Sequence, residues 1–365
     1  MSGVAAFAAS DDAQFAGAKK QEFASFAEKV TDIQTLKHLK DEEGIVPGKL
    51  VVKFKNNNVS VQTKAFQSIG ANIVQSFKKA DNYGVMTVDL AENVDLEQTM
   101  ELIGNQSGVE FVEPLYIYKA SDEVPEQQTV ADAVYKPDDE YYAKKWQWGL
   151  QAINIDDLWD RVPVEKRNEV TIAIVDTGVD LDHPDLKDNL VAGYDFVNDD
   201  DDPDDDDGHG THVAGIAAAI PFNKQGIVGV AGGAKIMPVK VLDENGSGSS
   251  LSVYLGIMYA VRNGADVINL SLGARAPSLL LKEAIEYAIA HNVVVVAATG
   301  NSGEDQVDFP AAFDGVIGVG AIDWNSEQGY VIADFSNYGP QTDVVAPGVD
   351  IFSTYPYEID LYDGN

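Results

Sequence analysis

The chain has no cysteine among its 365 residues. That excludes disulfides, thiolate metal sites and a cysteine nucleophile. Positive charge is scarce: 25 Lys plus Arg stand against 59 Asp plus Glu, for a net charge of −34. A field of that sign repels nucleic acid and anionic lipid and attracts cations, so neither a nucleic-acid-binding role nor a polybasic membrane-surface role is expected. Only 4 of the basic residues are Arg, against 21 Lys, which argues mildly against a strongly halophilic source. No apolar run approaches the roughly 18 residues of a membrane span; one of the longest, Val293 to Ala298, reads as a buried strand. With 45% hydrophobic and 23% charged residues, the chain as a whole has a globular rather than a disordered balance.

The first 45 residues are Ala-rich and weakly patterned, with some helix plausible between Asp12 and Lys40. Ala6-Phe7-Ala8 has the small-x-small form of a signal-peptidase site, but no basic segment precedes it. A remnant of a secretion signal and a plain Ala-rich terminus both fit. From Val46 the pattern sharpens. Strands are expected at Lys49 to Phe54, Ala71 to Phe77, Tyr83 to Leu90 and Val109 to Tyr118, the last ended near Pro114. Helices are expected at Val61 to Ile69 and Leu96 to Ile103. Strand–helix–strand–strand–helix–strand is the order of a small α+β ferredoxin-like domain.

Residues 119–137 carry charge, Pro125 and Pro137, and few apolar anchors, and read as an exposed linker. Charge divides unevenly around this stretch: residues 1–137 hold 13 basic and 20 acidic residues, residues 138–365 hold 12 and 39. Two differently built domains fit that asymmetry. Beyond Asp138, β-rich apolar runs (Val170 to Val175, Ile236 to Val241, Val267 to Leu270, Val293 to Ala298, Val316 to Ala321) alternate with helical ones (His209 to Ile220, Leu251 to Asn263, Leu279 to His291). The expected fold is α/β, a mostly parallel, doubly wound sheet. Its active site belongs past the carboxyl ends of the strands.

Three segments at such positions carry chemistry. Asp176, in VDTGVDLDHPDL, ends a buried strand, where a carboxylate needs a partner. A turn cap would satisfy it equally well. His209, in DGHGTHVAG, opens a helix between Gly208 and Gly210. An imidazole suits proton shuttling near neutrality when a carboxylate holds its other nitrogen. His209 and His212 could instead form a metal pair, but no third ligand with zinc spacing is present, and His212 reads as a packed helix residue. Asn301, in VVVVAATGNSG, follows a buried strand, where an amide N–H can stabilise an oxyanion or simply make a turn. The run Asp199 to Asp207 holds eight Asp in nine residues, either a solvated acidic loop or a cluster of hard oxygens for Ca²⁺.

Taken together, VDTGVDLDHPDL, DGHGTHVAGIAA, VKVLDENGSGS, NLSLG, AATGNSG, FPAAF and VVAPGVDIFST resemble the catalytic domain of subtilisin-like serine proteases over residues 138–365. Residues 46–118 resemble the ferredoxin-like propeptide of that family, a chaperone and inhibitor, through VPGKLVVKF, YGVMTVDL and VEFVEPLY. The resemblance implies a secreted serine endopeptidase precursor, kept inactive by its own propeptide and cleaved in the linker. It implies that Asp176 orients His209, that His209 is general base and then acid, and that Asn301 donates to the oxyanion. It also implies that polypeptide substrates lie as an added strand between Gly246-Ser247-Gly248 and Ser271-Leu272-Gly273. Ala297, Ala298, Thr299 and Gly300 would line a pocket for a large apolar side chain before the scissile bond. Structural Ca²⁺ is implied at Asp185 and Asn223, and in the acidic loop at Asp199, Asp202 and Asp204.

One departure stands out. The Gly-Thr-Ser-Met-Ala motif that carries the family's nucleophile is absent from these residues, and Ser353, in the IFST strand, is no substitute. The chain as written is therefore expected to be inactive, with one sheet face uncovered where the helices after the nucleophile would pack. A pseudoprotease or binding module ending at Asn365 is the alternative; a calcium-binding matrix protein would leave the catalytic motifs unexplained.

Overall fold

The computed structural model describes residues 44–55, 71–75, 83–90, 96–106, 108–120 and 137–356. The N-terminal segment, the helix expected at Val61 to Ile69 and most of the linker lie outside them. The chain divides into two compact units.

The first unit spans residues 1–115 with Pro277–Leu280. Its strands are β1 (Ile45–Phe54), β2 (Ala71–Gln75), β3 (Val85–Leu90) and β4 (Val109–Ala120), with helix α1 at Leu96–Gly104. The order β4-β1-β3-β2 is that of a ferredoxin-like sheet. β1 pairs antiparallel with β3, setting Lys49 opposite Asp89, and their side chains form an ion pair at 2.8 Å. Alternation gives these strands one apolar face: Leu50, Val52, Phe54, Met86 and Val88 pack with Met100 and Ile103 of α1. In the same unit Glu113 is fully buried. It accepts hydrogen bonds from Ser278 Oγ and from the Leu279 and Leu280 N–H groups. Backbone donors of a helix's first turn are a natural place for a buried carboxylate.

β4 does not stop at Pro114; it runs on to Ala120. Proline interrupts a strand by lacking an N–H. Here the ladder of the second unit begins only at Ile117, so no bond to it is lost at Pro114.

The second unit spans residues 116–276 and 281–365. Its principal strands are β5 (Thr171–Asp176), β6 (Tyr194–Asp195), β7 (Lys235–Lys240), β9 (Val267–Leu270), β11 (Val294–Ala298), β12 (Ile317–Asn325), β13 (Gly329–Ile332) and β14 (Val344–Pro347), in the order β13-β12-β11-β9-β5-β7-β6, with β14 also on β12. All these pairings are parallel except β12 with β13. Two short strands, β8 (Ser247–Ser249) and β10 (Leu272–Gly273), stand outside this sheet. Helices α2 (His209–Ala218), α3 (Ser250–Arg262) and α4 (Leu279–Ala290) connect the strands. α3 starts with a capping box: Ser249 Oγ accepts from Ser252 N, and Ser252 Oγ accepts from Ser249 N. Ile172, Ile174 and Ile236 pack beneath Ala214, Ala218 and Ala219 of the α2 segment. The small residues of α2 let it lie close on the sheet. Val294, Ile317 and Val344, which the parallel registers place on one face, are 45%, 38% and 50% exposed.

Candidate active site

Parallel pairing decides where the chemistry gathers. Ile174 stands opposite Asn269, and Leu270 opposite Ala297, so the carboxyl ends of β5, β9 and β11 lie side by side. Asp176, Ser271 and the Thr299–Asn301 turn leave the sheet at that edge.

Asp176 is fully buried. Its Oδ1 accepts from Thr177 N at 2.7 Å and lies 2.7 Å from His209 Nδ1. Its Oδ2 has no hydrogen-bond partner among the described residues. His209, the first residue of α2, is held from below by its backbone N–H, which donates to Asp207 Oδ1 at 3.1 Å. The carboxylate contact fixes the Nδ1–H tautomer, so Nε2 is the nitrogen left for proton transfer. The close approach depends on glycine: a Cβ at Gly210 would collide with the Gly178 carbonyl, and Gly178 itself has φ +115°.

The end of the acidic run builds this arrangement. Asp205 is buried, accepting from Thr177 Oγ1, Thr211 Oγ1 and the N–H groups of Gly208 and Thr211. These donors hold its carboxyl below the usual carboxylate range despite burial. Asp206 pairs with Lys240, an otherwise buried lysine of β7. His212 is a packed helix residue: its Nε2 meets the Ile351 carbonyl at 3.0 Å, and burial lowers its basicity. Ser353 Oγ donates to the His212 carbonyl, so its hydroxyl belongs to the helix and not to His209.

Asn301 is exposed just beyond β11. The turn before it is clamped by Asn337, a buried residue whose role sequence reasoning missed. Asn337 Nδ2 donates to the Thr299 carbonyl, its Oδ1 accepts from Ser302 N, and its own N–H donates to the Gly300 carbonyl. Gly300 adopts φ +105°.

The two strand edges expected to hold substrate are already occupied by the chain itself. Ile117, Tyr118 and Lys119 pair antiparallel with Ser249, Gly248 and Ser247 on one side. Lys119 and Ala120 pair with Gly273 and Leu272 on the other, and Ala120 N donates to the Gly246 carbonyl at 2.9 Å. Ala297 and Thr299 are buried beside this cleft, with Ala298 half-buried.

Of the residues considered for calcium, Asp185 and Asn223 meet: Asn223 Nδ2 donates to Asp185 Oδ1 at 2.6 Å, and Ile227 N donates to Oδ2. Burial pushes the Asp185 carboxyl up to about 6. Asp139, which sequence reasoning passed over, is a second fully buried carboxylate acting on Asp185; it accepts from the N–H groups of Phe222 and Asn223. Asp139 and Asp185, two buried carboxylates from separate segments that meet near Phe222–Asn223, offer the hard oxygen donors that Ca²⁺ takes. The acidic run does not gather in the same way. Asp199 accepts from the Tyr194 hydroxyl, whereas Asp204 is raised by burial and by the charges of Asp180 and Asp202. Among the described residues no three acidic, histidine or cysteine side chains converge as a metal cluster.

With this geometry in place, comparison with known proteins is direct. The subtilase family profile matches residues 167–362, and a fervidolysin N-terminal prodomain profile matches residues 33–114. The chain belongs to the subtilase family. It is 40% identical over 311 residues to the thermophilic serine proteinase of Bacillus sp. (strain AK1), covering 85% of this chain and 71% of that protein. It is 45% identical to thermitase of Thermoactinomyces vulgaris, covering 61% and 77%. The crystal structure of fervidolysin from Fervidobacterium pennivorans, described as a keratinolytic enzyme related to subtilisin, superposes with a TM-score of 0.74 at 31% identity. That match covers 88% of this chain and 50% of the other, so the chain spans half the length of fervidolysin.

Proposed function

We propose that this chain carries the propeptide and most of the catalytic domain of a secreted serine endopeptidase. The single observation that carries the reading is the 2.7 Å contact of His209 Nδ1 with buried Asp176. In this reading His209 Nε2 takes the proton of a serine hydroxyl as that oxygen attacks the peptide carbonyl, and then returns it to the leaving amine. Asp176 holds the tautomer and stabilises the imidazolium. Asn301 donates its amide N–H to the oxyanion. The serine is supplied by a segment outside these 365 residues, since they hold no Gly-Thr-Ser. This chain alone is then inactive.

Substrate is bound as an added strand between Gly246–Gly248 and Ser271–Gly273. Recognition through backbone hydrogen bonds is tolerant of most side chains along the peptide. Residues 117–120, seated in that register, act as a product-like inhibitor. Ca²⁺ held by Asp139, Asp185 and Asn223 would serve structure, pinning the loop around Phe222–Ile227 without entering the reaction. The apolar N-terminal stretch fits export, and no helix among the described residues is long and apolar enough to cross a membrane.

The test is expression of the protein together with its Gly-Thr-Ser segment. Peptidase activity sensitive to diisopropyl fluorophosphate is expected there and not in residues 1–365 alone. Asp176→Asn should lower turnover by about 10⁴-fold, and Asn301→Leu by about 10²–10³-fold, the size of effect known for subtilisin. A fluorophosphate-sensitive rate from the 365-residue chain would refute the missing-nucleophile assignment, and no activity from the longer protein would refute the peptidase reading.

A further inference from the structure

We propose that Asp308 makes the pocket for the residue before the scissile bond selective for a cation, so that the protease cleaves after lysine or arginine. The inference rests on the peptidase reading above and narrows its substrate class at one position.

Backbone pairing fixes where Asp308 sits. Ala274 and Phe309 exchange two hydrogen bonds of 2.9 Å, and Asp308 N donates to the Thr299 carbonyl at 2.9 Å. The residue is thereby pinned between the exits of β10 and β11. Its Cβ stands 3.3 Å from where a side chain on Gly273 would begin, and a Cβ on Gly300 would collide with its Oδ2. These two glycines belong to the segments that border the substrate cleft. Lys119 pairs with Gly273 and Ala120 with Leu272. The following residue of any peptide bound in that register comes to Ser271, beside the end of β11. Ala298, Thr299 and Gly300 are small residues, and on this proposal a long side chain passes them to reach the carboxylate.

The electrostatics favour a cation. The Asp308 side chain is 13% exposed, and Oδ1 accepts no hydrogen bond among the described residues. Arg275 is the cation beside it, with Nε at 3.7 Å, too long for a hydrogen bond. That guanidinium is shared: its NH1 lies 2.6 Å from Glu304 Oε2 and 3.5 Å from Gln306 Oε1. Glu304 adds a like charge near Asp308. A buried carboxylate with so little compensation is costly, and an ammonium or guanidinium from a substrate would relieve the cost. An apolar side chain in the same place would deepen it. The small lining residues alone suggest a large apolar side chain; Asp308 reverses that expectation.

Two measurements decide the matter. Benzamidine, a guanidinium-like probe that needs no nucleophile, is titrated into the 365-residue chain by NMR. Saturable binding is expected, weakened by about 10- to 100-fold in Asp308→Asn, the worth of one charged hydrogen bond. Arg275→Ala, which removes the competing cation, should tighten it and serves as the test if Asp308→Asn fails to fold. No binding, or binding indifferent to both substitutions, overturns the proposal and leaves Asp308 as a structural partner of Arg275. In the nucleophile-containing protein, peptides differing only before the scissile bond are compared. Arg or Lys should exceed Phe in kcat/KM by about tenfold or more, and Asp308→Asn should reverse the order. A preference for Phe refutes this inference while leaving the peptidase reading intact. Cleavage of neither peptide refutes the peptidase reading, and benzamidine still decides the role of Asp308.

Discussion

The ammonium of Lys240, 1% exposed, donates to the carbonyl of Thr177 at 2.5 Å, one residue beyond Asp176. The same nitrogen reaches the Leu242 carbonyl at 3.0 Å and Asp206 Oδ1 at 2.5 Å. The Val241 and Leu242 N–H groups in turn donate to the Asp176 carbonyl. One buried cation thus ties together the end of β5, the end of β7 and the loop that delivers His209. Lys240→Met should leave two buried carbonyls without a donor, at about 1–3 kcal/mol each. A loss of about 2–5 kcal/mol in urea unfolding of the chain is expected. Asp206 is half-exposed and recovers its solvation, so it adds little. An unchanged midpoint would show that the ammonium is dispensable.

Gly210 supports the same assembly from the helix side. Its Cα lies so close to the Gly178 carbonyl that no side chain fits. The obstacle is backbone, which cannot rotate away, so Gly210→Ala must push α2 off β5. The expected cost is about 1–3 kcal/mol of stability. Because the displacement falls on the Asp176–His209 contact, the nucleophile-containing protein should lose kcat far more than KM. Equal effects on both would indicate a general loosening of the fold instead.

Bound calcium should appear as a stability increment at neutral pH. Asp139 and Asp185 are buried together, and burial favours their protonated forms, which a divalent ion would reverse. Saturating Ca²⁺, at about 100 times its dissociation constant, adds about 2.7 kcal/mol to the folded state. The chain should therefore melt at a higher temperature in millimolar Ca²⁺ than in EDTA, and Asp185→Asn should abolish the difference. A melt indifferent to chelator would remove calcium from this loop.

What the sequence revealed and what it hid follow from the physics of each residue. β5, α2 and β11 were legible because buried parallel strands are continuous apolar runs, and because Asp176, His209 and Asn301 each sit just past such a run or open a helix beside a glycine. Ser271–Gly273 was marked only by the resemblance of NLSLG to the family's motif, since its strand pairing with residues 119–120 is long-range. Residues that act through long-range pairing were not. Lys240 looks like a solvent-facing strand residue until Asp206 and Thr177 are placed beside it. Asn337 reads as a turn asparagine, although it clamps Thr299, 38 positions away. Asp139 lies next to Asp138 in an ordinary acidic pair, and its bonds to the Phe222 and Asn223 N–H groups come from more than 80 positions away. The Asp run shows the converse: as sequence it is one cluster, yet Asp199, Asp205 and Asp206 serve Tyr194, Thr211 and Lys240 separately. Pro114 suggested a strand end because a missing N–H matters only where a partner needs it, and partners are not visible in sequence.

Asp308 also makes a pH prediction whose sign is opposite to that of a salt-bridged carboxylate. Burial, offset in part by Arg275, pushes its carboxyl up to about 6. The folded state therefore binds a proton more tightly than the unfolded state, whose carboxyl titrates near 4. The stabilisation from the protonated form is fully present below about pH 4 and is lost as pH rises through about 6. Over that interval the group should contribute about 2–3 kcal/mol of declining stability. Asp308→Asn, which mimics the neutral acid, should flatten this part of the profile and raise stability at pH 7 relative to the parent chain. A cationic ligand in the pocket pulls the other way, since it favours the ionised carboxylate. Benzamidine should then bind more tightly as pH rises from 5 to 7, and unfolding titrations with and without it should converge near pH 5. A binding constant independent of pH across that range would mean that the ligand does not meet Asp308.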